Sequence, residues 1–151
     1  SMKKLVLSVA VVLASMTAKA QWVYQKVDNG IDNPYKIAYT NNEGEATLKI
    51  ENLDGELAFY ITGSYFCEDK PKVDIVFVVN GENKKYQITA SKSKSSKTVY
   101  LTFDLIKEVY AEDFKNASSV KVRVNETYCT TDVFTFDMDK SKSAIEFMLK
   151  P

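Results

Sequence analysis

The chain has 151 residues, and its 20 basic and 20 acidic side chains cancel, which removes the electrostatic case for binding nucleic acid or an anionic lipid surface. It contains no histidine, so the commonest general base and the commonest zinc ligand are both missing. Its two cysteines, Cys67 and Cys129, leave room for one disulfide at most.

The N-terminus reads as a cleavable secretory signal peptide over residues 1–20. Lys3 and Lys4 form a short positive region, and Leu5 to Met16 is apolar except for Ser8 and Ser15. Ala18-Lys19-Ala20 then places small residues at the −3 and −1 positions, so the mature chain is expected to begin at Gln21. The apolar run of about 12 residues is shorter than the roughly 20 that a membrane-spanning helix needs. No cysteine follows the cleavage site to take a lipid anchor, and no membrane span is expected in the mature form. Cleavage removes Lys3, Lys4 and Lys19 and no acid, leaving 17 basic against 20 acidic residues, a net charge of −3. The expected location is the periplasm or the cell exterior. Residues 21–151 suit a single domain that can bury a real core.

Beyond the leader, period-2 alternation dominates, the mark of strands with one buried face. Trp22–Val27 and Tyr35–Tyr39 are the weaker strand candidates. Ala46, Leu48 and Ile50 alternate with Thr47, Lys49 and Glu51, and Leu57, Phe59 and Ile61 with Ala58, Tyr60 and Thr62. Val73–Val79 is apolar on both sides beyond Asp74, which predicts a central strand covered on both faces, with Val76 and Val78 buried alongside Val73, Ile75, Phe77 and Val79. Asn80-Gly81 is a strong hairpin signal, because both residues tolerate positive φ, and Lys84–Ala90 reads as the returning strand. Asn41–Gly44 and Asp54-Gly55 mark further turns. Ser91–Lys97 is rich in serine and lysine and reads as a solvated loop. Strands follow at Val99, Leu101, Phe103 and Leu105, at Val120, Val122 and Val124, and at Phe134, Phe136 and Met138.

Two segments switch to helical spacing. Ile106, Val109, Tyr110 and Phe114 recur at threes and fours, and so do Ala144, Ile145, Met148 and Leu149. Asp139 or Ser141 is placed to cap the second helix. The whole predicts an all-β fold, an antiparallel β-sandwich of about eight strands with one or two short helices.

The candidate chemistry is thin. Cys67 and Cys129 are expected to pair, since their number is even and the compartment oxidising; each follows a predicted strand. Tyr24, Tyr60, Tyr86 and Tyr100 lie on or near strands and would make a binding face if they shared one side, although tyrosine also suits half-buried strand positions generally. Lys92, Lys94 and Lys97 could receive an anion, but such runs are more often solvated connections. Asp28, Asn29, Asp32 and Asn33 offer hard oxygens without the spacing of a calcium loop, so no metal and no cofactor is expected. Asn116-Ala117-Ser118 and Asn125-Glu126-Thr127 match the glycosylation sequon, to which a bacterial-looking leader gives no meaning. With no histidine there is no nucleophile–histidine pair, and there is no glycine-rich phosphate loop.

In the order of its elements the chain resembles short exported β-sandwich proteins of Gram-negative bacteria, in particular the periplasmic accessory protein associated with type VI secretion. The likeness runs from the aromatic start at Trp22 through Val73-Asp74-Ile75-Val76-Phe77, Val99-Tyr100-Leu101-Thr102-Phe103, the short Leu105–Tyr110 helix and Val120-Lys121-Val122-Arg123-Val124. It is strongest in Phe134-Thr135-Phe136-Asp137-Met138 followed by Ala144-Ile145. The chain departs from that family in lacking an early Arg-Cys pair and a Pro-Tyr turn before the tail strand. The resemblance implies the fold and the compartment, and no role in secretion. The Ala20–Gln21 junction and the Lys-, Asn- and Tyr-rich body are similar to exported proteins of Bacteroidota.

The expected function is a non-catalytic binding or accessory module, with an envelope protein or a glycan as partner. The alternatives are a small hydrolase using an Asp/Glu pair and a structural component of an envelope assembly.

Overall fold

The computed structural model of the chain describes residues 21–53, 56–101 and 107–150. In chain order the strands are β1 (Val23–Val27), β2 (Tyr35–Asn41), β3 (Thr47–Leu53), β4 (Glu56–Thr62), β5 (Lys72–Val79), β6 (Glu82–Thr89), β7 (Ser91–Lys92) and β8 (Thr98–Leu101). Helix α1 (Lys107–Asn116), β9 (Ala117–Asn125), β10 (Asp132–Asp137) and helix α2 (Ser141–Leu149) complete it. Every pairing is antiparallel, in a six-stranded sheet ordered β1-β2-β3-β4-β8-β7 and a four-stranded sheet ordered β10-β9-β5-β6. This is the sandwich-like, mostly antiparallel fold that the alternation predicts. Among the described residues no helix is long and apolar enough to cross a membrane.

Residues directly opposite in an antiparallel ladder share a face, so the register shows what each sheet turns inward. Across the six-stranded sheet, Ala38, Ile50, Phe59 and Leu101 form one inward row and Thr40, Leu48, Ile61 and Val99 the next. Across the other, Phe134, Val122 and Ile75 align, as do Phe136, Val120 and Phe77. Apart from Thr40, which is also buried, these side chains meet in one hydrophobic cluster between the sheets. The β5–β6 turn is Asn80-Gly81, with φ of 51° and 77°, as the hairpin signal requires.

The helices close the sandwich. Phe114 of α1 is buried among Trp22, Phe59 and Phe77, at ring-centroid distances of 6.1, 4.9 and 6.2 Å. Ile106 and the side chains of Val109 and Tyr110, the rest of the expected helical face, lie outside the described residues, as do Phe103, Leu105 and the Asp54-Gly55 turn. Helix α2 buries Ala144, Ile145 and Met148. Asn52 donates to the Met148 carbonyl at 3.0 Å, and Lys36 Nζ donates to the carbonyls of Phe147 and Lys150 at 3.2 and 2.6 Å, which satisfies the carbonyls a helix C-terminus leaves open.

Three expectations need correction. The N-cap of α2 is Lys140, in the left-handed region at φ 65°, without a side-chain cap; the Ser141 hydroxyl instead donates to the Phe114 carbonyl at 2.6 Å, tying the two helices together. Val76, Val78 and Val79 are only half-buried; at Val76 and Val78 this is because the outward side of β5 has no covering layer among the described residues, and they stand beside Lys121, Lys85, Ser119 and Asn83. The Ser91–Lys97 stretch is not all solvated: Ser96 is buried, and its carbonyl accepts the Phe66 N–H at 2.8 Å.

Candidate functional site

The bridge Cys67–Cys129 closes one end of the sandwich, with Cα atoms 6.2 Å apart. The register brings the two cysteines together. Lys72 at the start of β5 stands opposite Asn125 at the end of β9, so the β4–β5 crossover and the β9–β10 loop leave the four-stranded sheet side by side. Gly63 (φ 122°) lets the chain turn out of β4, and a Cβ there would lie 2.7 Å from the Ala46 Cα. Phe66, fully buried 6.2 Å from the Phe134 ring centre, anchors the crossover.

Two carboxylates lace the loops together. Glu126, 8% exposed, accepts the N–H groups of Cys67 and Glu68 on Oε2 at 2.6 and 3.0 Å. Glu68 returns the contact by accepting the Thr127 N–H on Oε1. Ser64 Oγ donates to Asp132 Oδ2 at 2.8 Å across the same corner. On this stapled base Tyr65 and Tyr128 stand 66% and 89% exposed. Between them lies an open depression of about 660 Å³ lined by Ser64, Tyr65, Thr127, Tyr128, Cys129, Thr130 and Asp132. Nothing in the period-2 pattern singles these residues out; the only signal in the sequence is a tyrosine within two positions of each cysteine.

The four tyrosines expected to form a binding face do not share one. Tyr60 and Tyr100 are opposite each other on the outer side of the six-stranded sheet, ring centres 5.4 Å apart. Tyr24 opposes Ala38 and therefore lies on the inner side, edge-on to Phe147 at 4.8 Å. Tyr86 belongs to the other sheet and opposes Ile75 on its inner side, with its hydroxyl donating to Asp113 of α1. The outer row instead recruits Tyr39, which opposes Lys49, which in turn opposes Tyr60; Lys49 Nζ sits 5.2 Å from the Tyr60 ring centre. Tyr60 is itself 7% exposed, so the accessible ring of the pair is Tyr100. Burial, followed by a hydrogen bond with Glu51 and the nearby Tyr100 and Tyr35, pushes the Tyr60 phenol far above its usual range.

On the outer side of the four-stranded sheet a shallow groove of about 490 Å³ runs past Asp74, Val76, Lys85, Gln87, Lys121, Arg123 and Val133. Asp74 accepts from Asn125 at 2.9 Å, from Arg123 at 2.6 and 3.0 Å and from Gln87 at 2.9 Å. These donors, Asn125 first, hold its carboxyl down at about 2. Of the expected anion-binding lysines, Lys92 donates to Ser96 Oγ at 2.8 Å and lies 3.7 Å from Asp69, while Lys94 and Lys97 are exposed. In the Asp28–Asn33 turn, Asn29 Oδ1 accepts the N–H groups of Ile31 and Asp32, each at 2.9 Å, and its amide donates to Asp32.

No family model matches the sequence, and no curated protein matches it. Among solved structures the fold is similar to that of invasion associated protein B from Bartonella henselae, with a TM-score of 0.58 over 87% of this chain and 92% of that one. Sequence identity is 11%, so the likeness is one of fold.

Proposed function

We propose that this chain is an exported, non-catalytic binding module of the periplasm or cell exterior that grips an envelope protein or a glycan with its disulfide-stapled tip. The observation that carries the reading is the exposure of Tyr65 and Tyr128 on two loops bound by Cys67–Cys129 and by the Glu126 and Glu68 hydrogen bonds. Rigid, amphipathic rings flanked by serine and threonine give large contact area at small entropic cost, as in antibody loops. The bridge suits an oxidising compartment, which agrees with a leader removed before Gln21 and one domain over residues 21–151. A fold like that of an invasion-associated protein fits work outside the cytoplasm. Against the hydrolase alternative, Asp74, Glu68 and Glu126 are already engaged in internal hydrogen bonds.

A photo-crosslinking residue placed at Tyr128, with a control at exposed Lys94, tests the reading in cells that export the protein. The expected result is a discrete adduct from position 128 alone, lost when Tyr65→Ser is added while thermal melting stays unchanged. Adducts from position 94 only, or an adduct indifferent to Tyr65→Ser, would overturn it. N-terminal sequencing of the exported chain, expected to start at Gln21, tests the leader.

A further inference from the structure

Beneath the tip, one carboxylate oxygen of Glu126 and the sulfurs of Cys67 and Cys129 all lie within 4.8 Å of one another. While the bridge is closed those sulfurs are bonded to each other and cannot ligate. Glu126 Oε1 is buried and has no hydrogen-bond partner among the described residues. A buried carboxylate oxygen left without a donor is uncommon and asks for a cation, a proton or a water. Its twin Oε2 is pinned by the backbone N–H groups of Cys67 and Glu68, so the carboxylate is aligned by the very segment that carries one sulfur.

We propose that reduction of the Cys67–Cys129 bridge creates a metal site of two thiolates and the Glu126 carboxylate, suited to a borderline-soft divalent ion such as Zn²⁺, with water as the fourth ligand. Bonds of about 2.3 Å to sulfur and about 2.0 Å to oxygen require the two sulfurs to move apart once the S–S bond is broken. The bridge is not the one link between the two loops: the Glu126 and Glu68 hydrogen bonds and the Lys72–Asn125 pairing also join them, and buried Phe66 anchors the crossover. Both cysteines are half-exposed, which gives reductant and ion a way in.

The chemistry balances. An external dithiol gives two electrons and two protons to the S–S bond and leaves as its own disulfide. Each thiol then releases its proton to solvent as the ion binds. Because each thiol must give up its proton in order to ligate, binding is pH-dependent and releases protons.

Cobalt(II) is the probe, because thiolate ligation gives a sulfur-to-metal charge-transfer absorption and tetrahedral d–d bands. The protein is reduced with a water-soluble phosphine, which leaves as the phosphine oxide, then desalted without air and titrated with Co²⁺, with far-ultraviolet circular dichroism recorded throughout. Reduced protein should develop both bands with one equivalent of Co²⁺, keep its sheet signal, and lose the bands to Zn²⁺. Oxidised protein should show neither band. Glu126→Gln should weaken Co²⁺ binding at least about tenfold, Cys129→Ser should at least halve the charge-transfer band, and the double Cys67→Ser, Cys129→Ser variant should abolish it. The proposal is overturned if folded, reduced protein shows no thiolate band, if Glu126→Gln binds as tightly as the parent, or if a reduced chain that unfolds binds Co²⁺ equally well in denaturant.

Discussion

The outer faces of the two sheets follow the same alternation and differ in content. On the six-stranded sheet the outward row is Tyr39, Lys49, Tyr60 and Tyr100, with one lysine among phenol rings. On the four-stranded sheet the outward rows are Gln87, Asp74, Arg123 and Val133, then Lys85, Val76, Lys121 and Thr135. The inward rows are interchangeable in chemistry, because both must pack against the same core. The comparison shows that packing dictates which side a residue faces but leaves the outward side chains free to carry aromatic or ionic surface. Val76 illustrates the point, since valine beside two lysines is tolerated where nothing needs to be excluded from water.

Substituting neighbours on β5 measures the inner–outer difference most directly. Phe77→Ala should cost about 3–5 kcal/mol in urea unfolding, as expected for a large ring lost from a packed core. Val76→Thr, one position away, should cost under about 1 kcal/mol. Comparable losses at both sites would mean that the outer face of β5 is covered in solution.

Opening the stapled end comes next in size. Cys67→Ser with Cys129→Ser frees a loop closed over 62 residues and should lower stability by about 2–4 kcal/mol. A loss below about 1 kcal/mol would show that the Glu126 and Glu68 hydrogen bonds hold the loops by themselves.

The ionic face should reveal itself through pH. Asp74 has a folded pKa of about 2, below the roughly 3.9 of an unfolded aspartate. Its depressed value means that its contribution is complete above the unfolded value and is lost as pH falls through about 4 towards about 2. With solvent and salt screening the pair, that contribution is at most about 1 kcal/mol. Asp74→Asn should therefore be less stable than the parent at pH 7, with the gap shrinking below about pH 4 and closing only as pH falls past about 2, and a gap that stays constant down to the acid end would contradict the assignment.

The smallest signal belongs to the aromatic face. The Tyr60 phenol, raised mainly by burial, should stay protonated after the exposed tyrosines have ionised in an alkaline absorbance titration. A raised value stabilises the fold below the unfolded pKa of about 10 and stops doing so as pH climbs beyond it. Tyr60→Phe should delete the last step of the titration curve and leave the earlier ones in place.

Much of the architecture was legible in the chain. The alternation at Leu48–Ile50, Phe59–Ile61 and Val120–Val124 translated directly into inward rows, and Asn80-Gly81 into a hairpin. The bridge was expected from an even cysteine count in a chain read as exported, and the helix Ser141–Leu149 from its spacing. The exposed tyrosine pair at the stapled end was not legible. Tyr24 and Tyr86 alternate as correctly as Tyr60 and Tyr100, yet they fall on the inner side and one of them on a different sheet. Tyr65 and Tyr128 sit in loops, where no periodicity exists to mark them.

By itself, then, the sequence determined what short-range physics controls: which segments extend, where they turn, which side of each strand is apolar and which two sulfurs are available to pair. Only the tertiary structure decided strand order and register, and with them every contact between distant residues. Glu126 meeting Cys67 and Glu68, Lys36 meeting the end of α2, and Asp74 gathering Asn125, Arg123 and Gln87 all depend on how two sheets align. The physical reason is that alternation constrains one residue at a time, whereas a site is a meeting of residues set by the packing of the whole chain.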